Sequence, residues 1–554
     1  MIGRRRRHDD DSVDVRIVGG VVRGVRERGL LAWRGIPYAA APVGRLRFAS
    51  PAGAAPWEGI RDASAFGAIA PQAPGNPLIH PPAAAIAADE DCLTVNVHAP
   101  VWDDHGSTPL PVMVYIHGGG YAAGSSRDFS GQGEGFVRDG RVVYVSFNYR
   151  LGPLGYLDFS RYSTTERVFA SNLGLRDQVA LLGWVRDNIA AFGGDPANVT
   201  VFGASAGGNA VTTLMATPSA AGLFARAIAQ SPPPNAVYPP SLAAQWATEY
   251  VEILGELVDA RARARARLRM QVRRDRDRDS SGEGDDGGDG DGEAGGIRRE
   301  PHELLATAAP TDLVAACGIL QARTPDAHPG TFCLAPVIAG EFLPRNPMRA
   351  FRDGTAHRVP LIIGTNDREG SFFRRRIDIL PRTPTRIEAL FARAPVGARE
   401  GMRAAYPGLP ARRPAADFGG DYGFWFPSTR IADFHSRYAP AWSYRFDVAP
   451  RLLEMLGLDA THGVEMFALF DRTDLALARI MTALGGNEAY AAAGERMRTM
   501  WLRFAADAQP GDGWPRYDER ERATLVIDEV DRIELDPRRV RRRAWNRFLP
   551  ALAG

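Results

Sequence analysis

The chain has 554 residues, 45% of them hydrophobic and 24% charged, with a formal net charge of +2. That composition is ordinary for a folded globular protein. The near-neutral charge names neither a nucleic-acid nor an acidic partner, and no apolar run approaches the length of a membrane span.

Residues 1–12 run from Arg4-Arg-Arg-Arg7 into Asp9-Asp-Asp11 with no apolar stretch behind them. They are expected to form a solvated, disordered tail and not a secretory signal. Three widely separated cysteines, Cys92, Cys317 and Cys333, show no metal-ligand spacing. An odd, sparse count without a signal suits reduced thiols in a cytoplasm.

From Val13 to Gln72 short β-branched runs alternate with turns, among them Val15–Val18, Val21–Val25 and Leu31–Tyr38. They read as hairpins at the antiparallel start of a larger sheet. Ala70–Ala88, rich in Pro and Ala, reads as a surface loop, and Leu93–His98 as a strand. Pro111–Ile116 and Val142–Phe147 are continuous apolar runs, the pattern of strands buried on both faces. Between them lies His117-Gly-Gly-Gly120. Leu175, Val179, Leu182, Val185 and Ile189 then recur at helical spacing, and Asp195-Pro196 with Asn198 turns the chain into Val199–Phe202. Strands alternating with helices imply a largely parallel, doubly wound sheet, whose ligands bind beyond the carboxyl ends of the strands.

That last strand ends in Gly203-Ala-Ser-Ala-Gly207, followed by a helix-compatible segment to Met215. The G-x-S-x-G pattern is common by itself. Between a strand and a helix it is a nucleophile elbow, a sharp turn that lifts the serine hydroxyl above the sheet. Gly203 and Gly207 keep side chains away from the crossing of strand and helix.

Arg261–Arg299 breaks the pattern: Arg alternates with Ala, then with Asp, and a Gly/Asp/Glu run without aromatics follows. Too apolar-poor to offset ordering entropy, the segment is expected to be a disordered insertion within one domain spanning 13–550. An EF-hand reading of Asp289–Glu300 fails because Ala294 occupies the position that needs glycine. A nucleic-acid role for the arginines is set below a solvated insertion. Val359–Thr365 and Ala441–Phe446 read as further core strands, and Ala491–Phe504 as an amphipathic helix.

A serine nucleophile needs a base, and the base an orienting carboxylate. In α/β-hydrolases their chain order is Ser, acid, His. Asn366-Asp-Arg-Glu-Gly370 follows a late strand and offers two acids, Asp367 and Glu369, between which spacing does not choose. Downstream, His435 sits in a helical pattern and His462 in a loop before Gly463. The loop position favours His462. His117–Gly120, directly after a buried strand, is the glycine loop whose backbone N–H groups form an oxyanion hole, with the N–H of Ala206 completing it.

With these residues in place the chain resembles the type-B carboxylesterases, the family of cholinesterases, liver-type carboxylesterases and bacterial p-nitrobenzyl esterases. The resemblance rests on Gly35-Ile-Pro-Tyr38, Glu90-Asp-Cys-Leu93, Val114–Gly120, Asn148-Tyr-Arg-Leu-Gly152, Asn172–Gln178, Gly203–Gly208, Gly364–Phe373 and His462-Gly-Val-Glu465. It implies an α/β-hydrolase fold with helical insertions forming a lid and gorge. It further implies Ser205 as nucleophile, Glu369 and not Asp367 as acid, His462 as base, and Gly119, Gly120 and Ala206 as oxyanion donors. Ser231 matches a supporting family serine close to the histidine.

The chain also departs from the family. The first disulfide partner is missing near Ala70, which leaves Cys92 a free thiol. No tryptophan stands between Ala70 and Cys92 to hold a quaternary ammonium, and Ala204 precedes the nucleophile where an acid is frequent. An acetylcholinesterase is therefore disfavoured. The resemblance implies hydrolysis of small to medium uncharged carboxylic esters through an acyl-enzyme. It implies no cofactor or metal, neither a nucleic acid nor a membrane is expected as a partner, and the protein is expected as a monomer or homodimer. A non-catalytic binding homologue and an amidase or carbamate hydrolase are the competing readings.

Overall fold

A computed structural model describes residues 12–74, 87–101, 108–140, 142–280, 299–373 and 378–553. The sequence-expected tail, apart from Ser12, lies outside them, as do much of the Ala70–Ala88 loop and residues 281–298 of the insertion.

Among the described residues thirteen strands form one sheet. They are β1 (Ser12–Ile17), β2 (Gly20–Glu27), β3 (Leu30–Pro37), β4 (Ile60–Asp62), β5 (Thr94–Pro100), β6 (Leu110–Ile116), β7 (Val143–Phe147), β8 (Gly194–Ala204), β9 (Arg226–Gln230), β10 (Leu361–Asn366), β11 (Ala441–Phe446), β12 (Ala523–Ile527) and β13 (Arg532–Leu535). The spatial order is β1-β2-β3-β5-β7-β6-β8-β9-β10-β11-β12-β13, with β4 beside β2. Pairing is antiparallel from β1 through β5 to β7, parallel from β7 to β12, and antiparallel again at β13. The hairpin start and the doubly wound centre are both present.

Alternation of side chains explains why the central strands carry apolar residues at every position. Val112, Val114 and Ile116 of β6 face one core with Val143, Val145, Val199 and Val201. Met113 and Tyr115 face the other, with Tyr144, Phe202 and Phe470. Helix Leu173–Asn188 buries Leu175, Leu182 and Val185 on the first face, and helix Asn487–Asp507 buries Met497, Trp501 and Phe504 on the second. A third cluster joins Phe391, Phe418 and Tyr406 to Trp545 of the C-terminal helix Arg539–Phe548.

Two elements differ from expectation. Strand β8 already begins at Gly194, and the Asp195-Pro196 turn appears as a register shift against β6 between Leu110 and Val112. Helix Pro240–Ser280 carries the first part of the arginine insertion, Arg261–Ser280, as continuous helix. Ala, Arg, Leu, Met and Gln are among the strongest helix formers, so the helix extends beyond the buried turns that anchor its start. No single helix among the described residues is long and apolar enough to cross a membrane. The bent pair Pro301–Thr307 and Pro310–Ala327 passes that test only when joined, and its apolar residues Leu304, Leu305, Leu313 and Leu320 are buried in the core.

Candidate active site

Ser205 stands between β8 and helix Ala206–Leu214 with φ 59° and ψ −122°, a conformation that costs a non-glycine residue ~1–3 kcal/mol and persists only where packing fixes it. Three close approaches fix it. A Cβ on Gly207 would lie 2.0 Å from the Ile116 carbonyl oxygen, and one on Gly203 2.6 Å from the same atom. The Ser205 N–H donates to Gln230 O of β9 at 2.9 Å. The glycines of the elbow are therefore required by backbone contact with β6.

Glu369 lies just past the end of β10. The chain leaves Asn366 and enters a short turn, Glu369–Ser371, in which Glu369 is buried and its Oε1 accepts the Asn366 N–H at 2.7 Å. Its Oε2 accepts from His462 Nδ1 at 2.5 Å, and His462 Nε2 accepts from Ser205 Oγ at 2.9 Å. One continuous relay thus joins three residues separated by 164 and 93 positions in sequence order 205, 369, 462. The loop bearing His462 is tied to the acid turn by backbone. Arg368 N–H donates to Ala460 O at 3.0 Å, and Arg368 and Thr461 form an isolated parallel bridge. The Ser371 hydroxyl lies 2.6 Å from Leu458 O and 2.7 Å from Thr461 Oγ1.

Asp367, the other acid in the turn, faces away and binds Arg538. His435 lies in helix Phe426–His435, where its Nε2 donates to Val359 O at 2.8 Å and burial pushes its pKa down to about 4. It holds a strand end in place. Ser231 follows β9 at φ 44° and donates its N–H to Gly364 O at 2.8 Å. Its Oγ is buried and has no hydrogen-bond partner among the described residues, so no hydrogen bond links it to His462.

The glycine loop runs beside Ser205. A Cβ on Gly118 would lie 2.7 Å from Ala204 O and 3.3 Å from Ser205 Cβ. Gly119 and Gly120 have φ +107° and +62°, values that L side chains rarely adopt. His117 stacks on Tyr149 at 4.3 Å, the Tyr149 hydroxyl donates to His117 O at 2.6 Å, and burial holds the His117 pKa below its usual value. Ala206 opens its helix, so its N–H has no intrahelical acceptor and lies at the positive end of the helix dipole.

Two aromatic rings cover the imidazole. Phe424 lies 4.5 Å and Phe373 5.2 Å from the His462 ring, and the two rings stack on each other at 5.6 Å. Phe424 belongs to a π-helical turn, Asp421–Trp425, set between helices Arg412–Gly420 and Phe426–His435. Such turns interrupt helices most often at functional sites. Sequence reasoning missed it, since nothing in Gly419–Phe426 marks a π-turn.

Glu465 was quoted in the sequence only as part of a motif. It is fully buried, and its Oε2 accepts from Asn366 Nδ2 at 2.6 Å. Burial pushes its carboxyl up to about 7, the neighbouring Glu369 charge adds to this, and the Asn366 hydrogen bond and His462 oppose it. The three cysteines are free and buried. Burial raises all three thiols, Cys333 to about 12, so none is a reactive thiolate. Among the described residues no cluster of His, Cys, Asp and Glu could hold a metal ion.

A serine on a strand-to-helix elbow, with acid and histidine on loops past later strands of a mostly parallel sheet, defines the α/β-hydrolase class. Within that class the relatives are specific. The family model described as "Carboxylesterase family" matches residues 9–278. The para-nitrobenzyl esterase of Bacillus subtilis (strain 168) is 33% identical over 521 residues, covering 94% of this chain and 95% of that protein. The phenmedipham hydrolase of Pseudarthrobacter oxydans is 32% identical over 532 residues, covering 92% and 94%. A solved structure of PNB esterase superposes with a TM-score of 0.78 at 32% identity, covering 96% of this chain and 99% of that one. The chain belongs to the carboxylesterase family and is a carboxylic ester hydrolase.

Proposed function

We propose that Ser205, His462 and Glu369 are the catalytic triad of an esterase acting on small to medium uncharged carboxylic esters, with Gly119, Gly120 and Ala206 as oxyanion donors. The unbroken hydrogen-bond relay from Ser205 Oγ through His462 to Glu369 carries this reading.

His462 Nε2 takes the Ser205 proton as Oγ attacks the ester carbonyl carbon, and the carbonyl oxygen becomes an oxyanion held by the three backbone N–H groups. Glu369 keeps the proton of His462 on Nδ1 and stabilises the imidazolium. The imidazolium then protonates the leaving alcohol as the C–O bond breaks, which leaves an acyl group on Ser205. Water, deprotonated by the same histidine, attacks the acyl carbon and releases the acid. The Phe373–Phe424 pair packs against the His462 ring, and apolar rings beside the group that protonates the leaving alcohol favour uncharged alcohols. The relatives named for p-nitrobenzyl ester and phenmedipham hydrolysis are consistent with that preference. A small-molecule ester is then the only partner required, by a monomer or homodimer in a reducing cytoplasm that keeps the three thiols free.

The test is a p-nitrophenyl ester series from acetate to laurate, with paraoxon as a serine-directed inhibitor. Turnover of short chains, abolished by one phosphorylation mapped to Ser205 and absent in Ser205→Ala, is expected. Folded protein that is inert to both reagents would exclude the assignment.

A further inference from the structure

Arg368 stands between Asp367, which binds Arg538, and Glu369, which binds His462, and is itself buried at 7% exposure. Its guanidinium reaches two further segments. Toward the His462 loop, Nη1 donates to Gly457 O at 3.2 Å and to Asp459 Oδ2 at 2.6 Å. Gly457 and Asp459 carry left-handed backbone, φ 64° and 52°, on the approach to His462. One nitrogen therefore ties down both reversals of the chain before the histidine. A left-handed non-glycine residue persists only where its surroundings hold it.

In the other direction Nε donates to Asp417 Oδ1 at 2.9 Å. Asp417 lies on helix Arg412–Gly420, which runs directly into the π-helical turn that packs Phe424 on the His462 ring. That helix meets the turn backbone to backbone. A Cβ on Gly370 would lie 1.9 Å from Ala416 O, and one on Gly420 2.4 Å from Gly370 N. Residue 368 is thus the junction of the three segments that carry Glu369, His462 and Phe424.

The junction suits arginine. A guanidinium is a rigid planar fork, and here Nε and Nη1 each take a different carboxylate. A lysine would supply one compact charge in place of two separately aimed donors. Arg413 also pairs with Asp459, at 3.2 Å, but from an exposed position, where an ion pair contributes little.

We propose that Arg368 is a positioning residue for ester hydrolysis, whose guanidinium sets where His462 stands between Ser205 and Glu369 and where Phe424 lies on the imidazole. Contacts of 2.5 Å and 2.9 Å along the relay leave the loop little freedom, and a misplacement of about 1 Å costs about 10²-fold in rate. Arg368 acts only through that relay, so the inference rests on the triad proposed above.

The experiment is a double-mutant cycle in the full-length protein, with p-nitrophenyl acetate as substrate and circular dichroism to verify folding. Arg368→Met is expected to lower kcat by about 10- to 100-fold with KM within about threefold of the wild type. Arg368→Lys should fall nearly as far. In the Glu369→Gln background the relay is already broken, and adding Arg368→Met should cost less than about threefold, because residues that act as one unit are not additive. Loss of folded protein alone would cost the same factor in both backgrounds. Should Arg368→Met fail to fold, Asp459→Asn carries the test. It tolerates the left-handed backbone, reduces the tie to a neutral hydrogen bond, and should lower kcat at least about threefold. Arg413→Ala, which removes only the exposed pair to the same carboxylate, should stay within about twofold of the wild type. A folded Arg368→Met with kcat within about threefold of the wild type, a fully active Arg368→Lys, or equal losses in the two backgrounds overturns the proposal. Where Arg368→Met is unfolded, an Asp459→Asn as active as Arg413→Ala does the same. Wild-type turnover by Ser205→Ala would instead overturn the triad itself, a result that the arginine variants cannot produce.

Discussion

Glu369 and Glu465 are held by the same asparagine. The Asn366 backbone N–H reaches Glu369 Oε1 at 2.7 Å and its side-chain amide reaches Glu465 Oε2 at 2.6 Å, while the amide also donates to Thr461 O at 2.8 Å. One residue at the end of β10 therefore fixes Glu369, a second buried carboxyl and the loop that carries His462. Glu465 is fully buried with its Oε1 lacking a partner among the described residues, and that burial, with the neighbouring Glu369 charge, raises its carboxyl to about 7.

A pH signature follows for stability. The Glu465 pKa lies near 7 in the folded chain against an ordinary 4.5, so between these values the native state holds a proton that the unfolded state has released. Its contribution is fully present below pH 4.5, declines as pH rises to about 7 and is flat above, a change of ~3 kcal/mol. Urea unfolding at pH 5 and pH 8 should show this decline in the wild type and a smaller one in Glu465→Gln. Equal declines would show that Glu465 ionises normally.

Glu369→Gln preserves size but removes the charge opposite His462 Nδ1. The imidazolium formed in the reaction then loses its counter-charge, and the amide can stabilise the wrong tautomer. A fall in kcat of about 10²–10⁴ is expected with KM little changed. Steady-state kinetics on p-nitrophenyl acetate decide it, and a kcat within threefold of wild type would remove Glu369 from the relay.

The glycine loop separates two kinds of requirement. A Cβ at Gly119 would meet Ala123 O at 2.1 Å, whereas at Gly120 nothing lies within 4 Å. Gly119→Ala must displace the loop, so kcat should fall by about 10²–10³, the usual effect of losing one oxyanion donor. Gly120→Ala carries only the conformational penalty of positive φ, about 1–2 kcal/mol of stability, and should keep far more activity. Parallel kinetics and thermal melts of the two variants test the contrast, and comparable kcat values would refute it.

Much of this site was legible because its parts are backbone-determined. Gly203 and Gly207 announce a crossing too tight for side chains, His117–Gly120 announces a loop that passes close to the serine, and the order Ser205, Glu369, His462 follows from where a parallel sheet places its loops. The choice of Glu369 over Asp367 was not legible from spacing, since both lie in one turn. What separates them is a long-range ion pair of Asp367 with Arg538, 171 residues away. The π-turn that aims Phe424 at His462, and the role of Glu465, depend likewise on tertiary packing that no local periodicity records. Disorder over all of Arg261–Arg299 was inferred from the lack of apolar residues. Intrinsic helix propensity, continuing a helix anchored at Trp246 and Tyr250, suffices to extend regular structure to Ser280.

The motifs Asn148–Gly152 and Asn172–Gln178 meet in one buried contact, Arg150 with Asp177. Arg150 and Asp177 are 3% and 0% exposed and pair through two bonds, Nε to Oδ2 at 2.8 Å and Nη2 to Oδ1 at 2.7 Å. The Arg150 backbone N–H also donates to Asp177 Oδ2 at 3.0 Å, and Arg150 Nη1 donates to Ala49 O at 2.7 Å. Asp177→Asn leaves a guanidinium buried without a counter-charge, and a loss of about 3–5 kcal/mol is expected. Replacing both partners with apolar residues, Arg150→Met with Asp177→Leu, removes the stranded charge and should cost less than the single change. Urea midpoints of the two variants rank them. A double variant less stable than Asp177→Asn would mean that the pair contributes net stability beyond compensating its own burial.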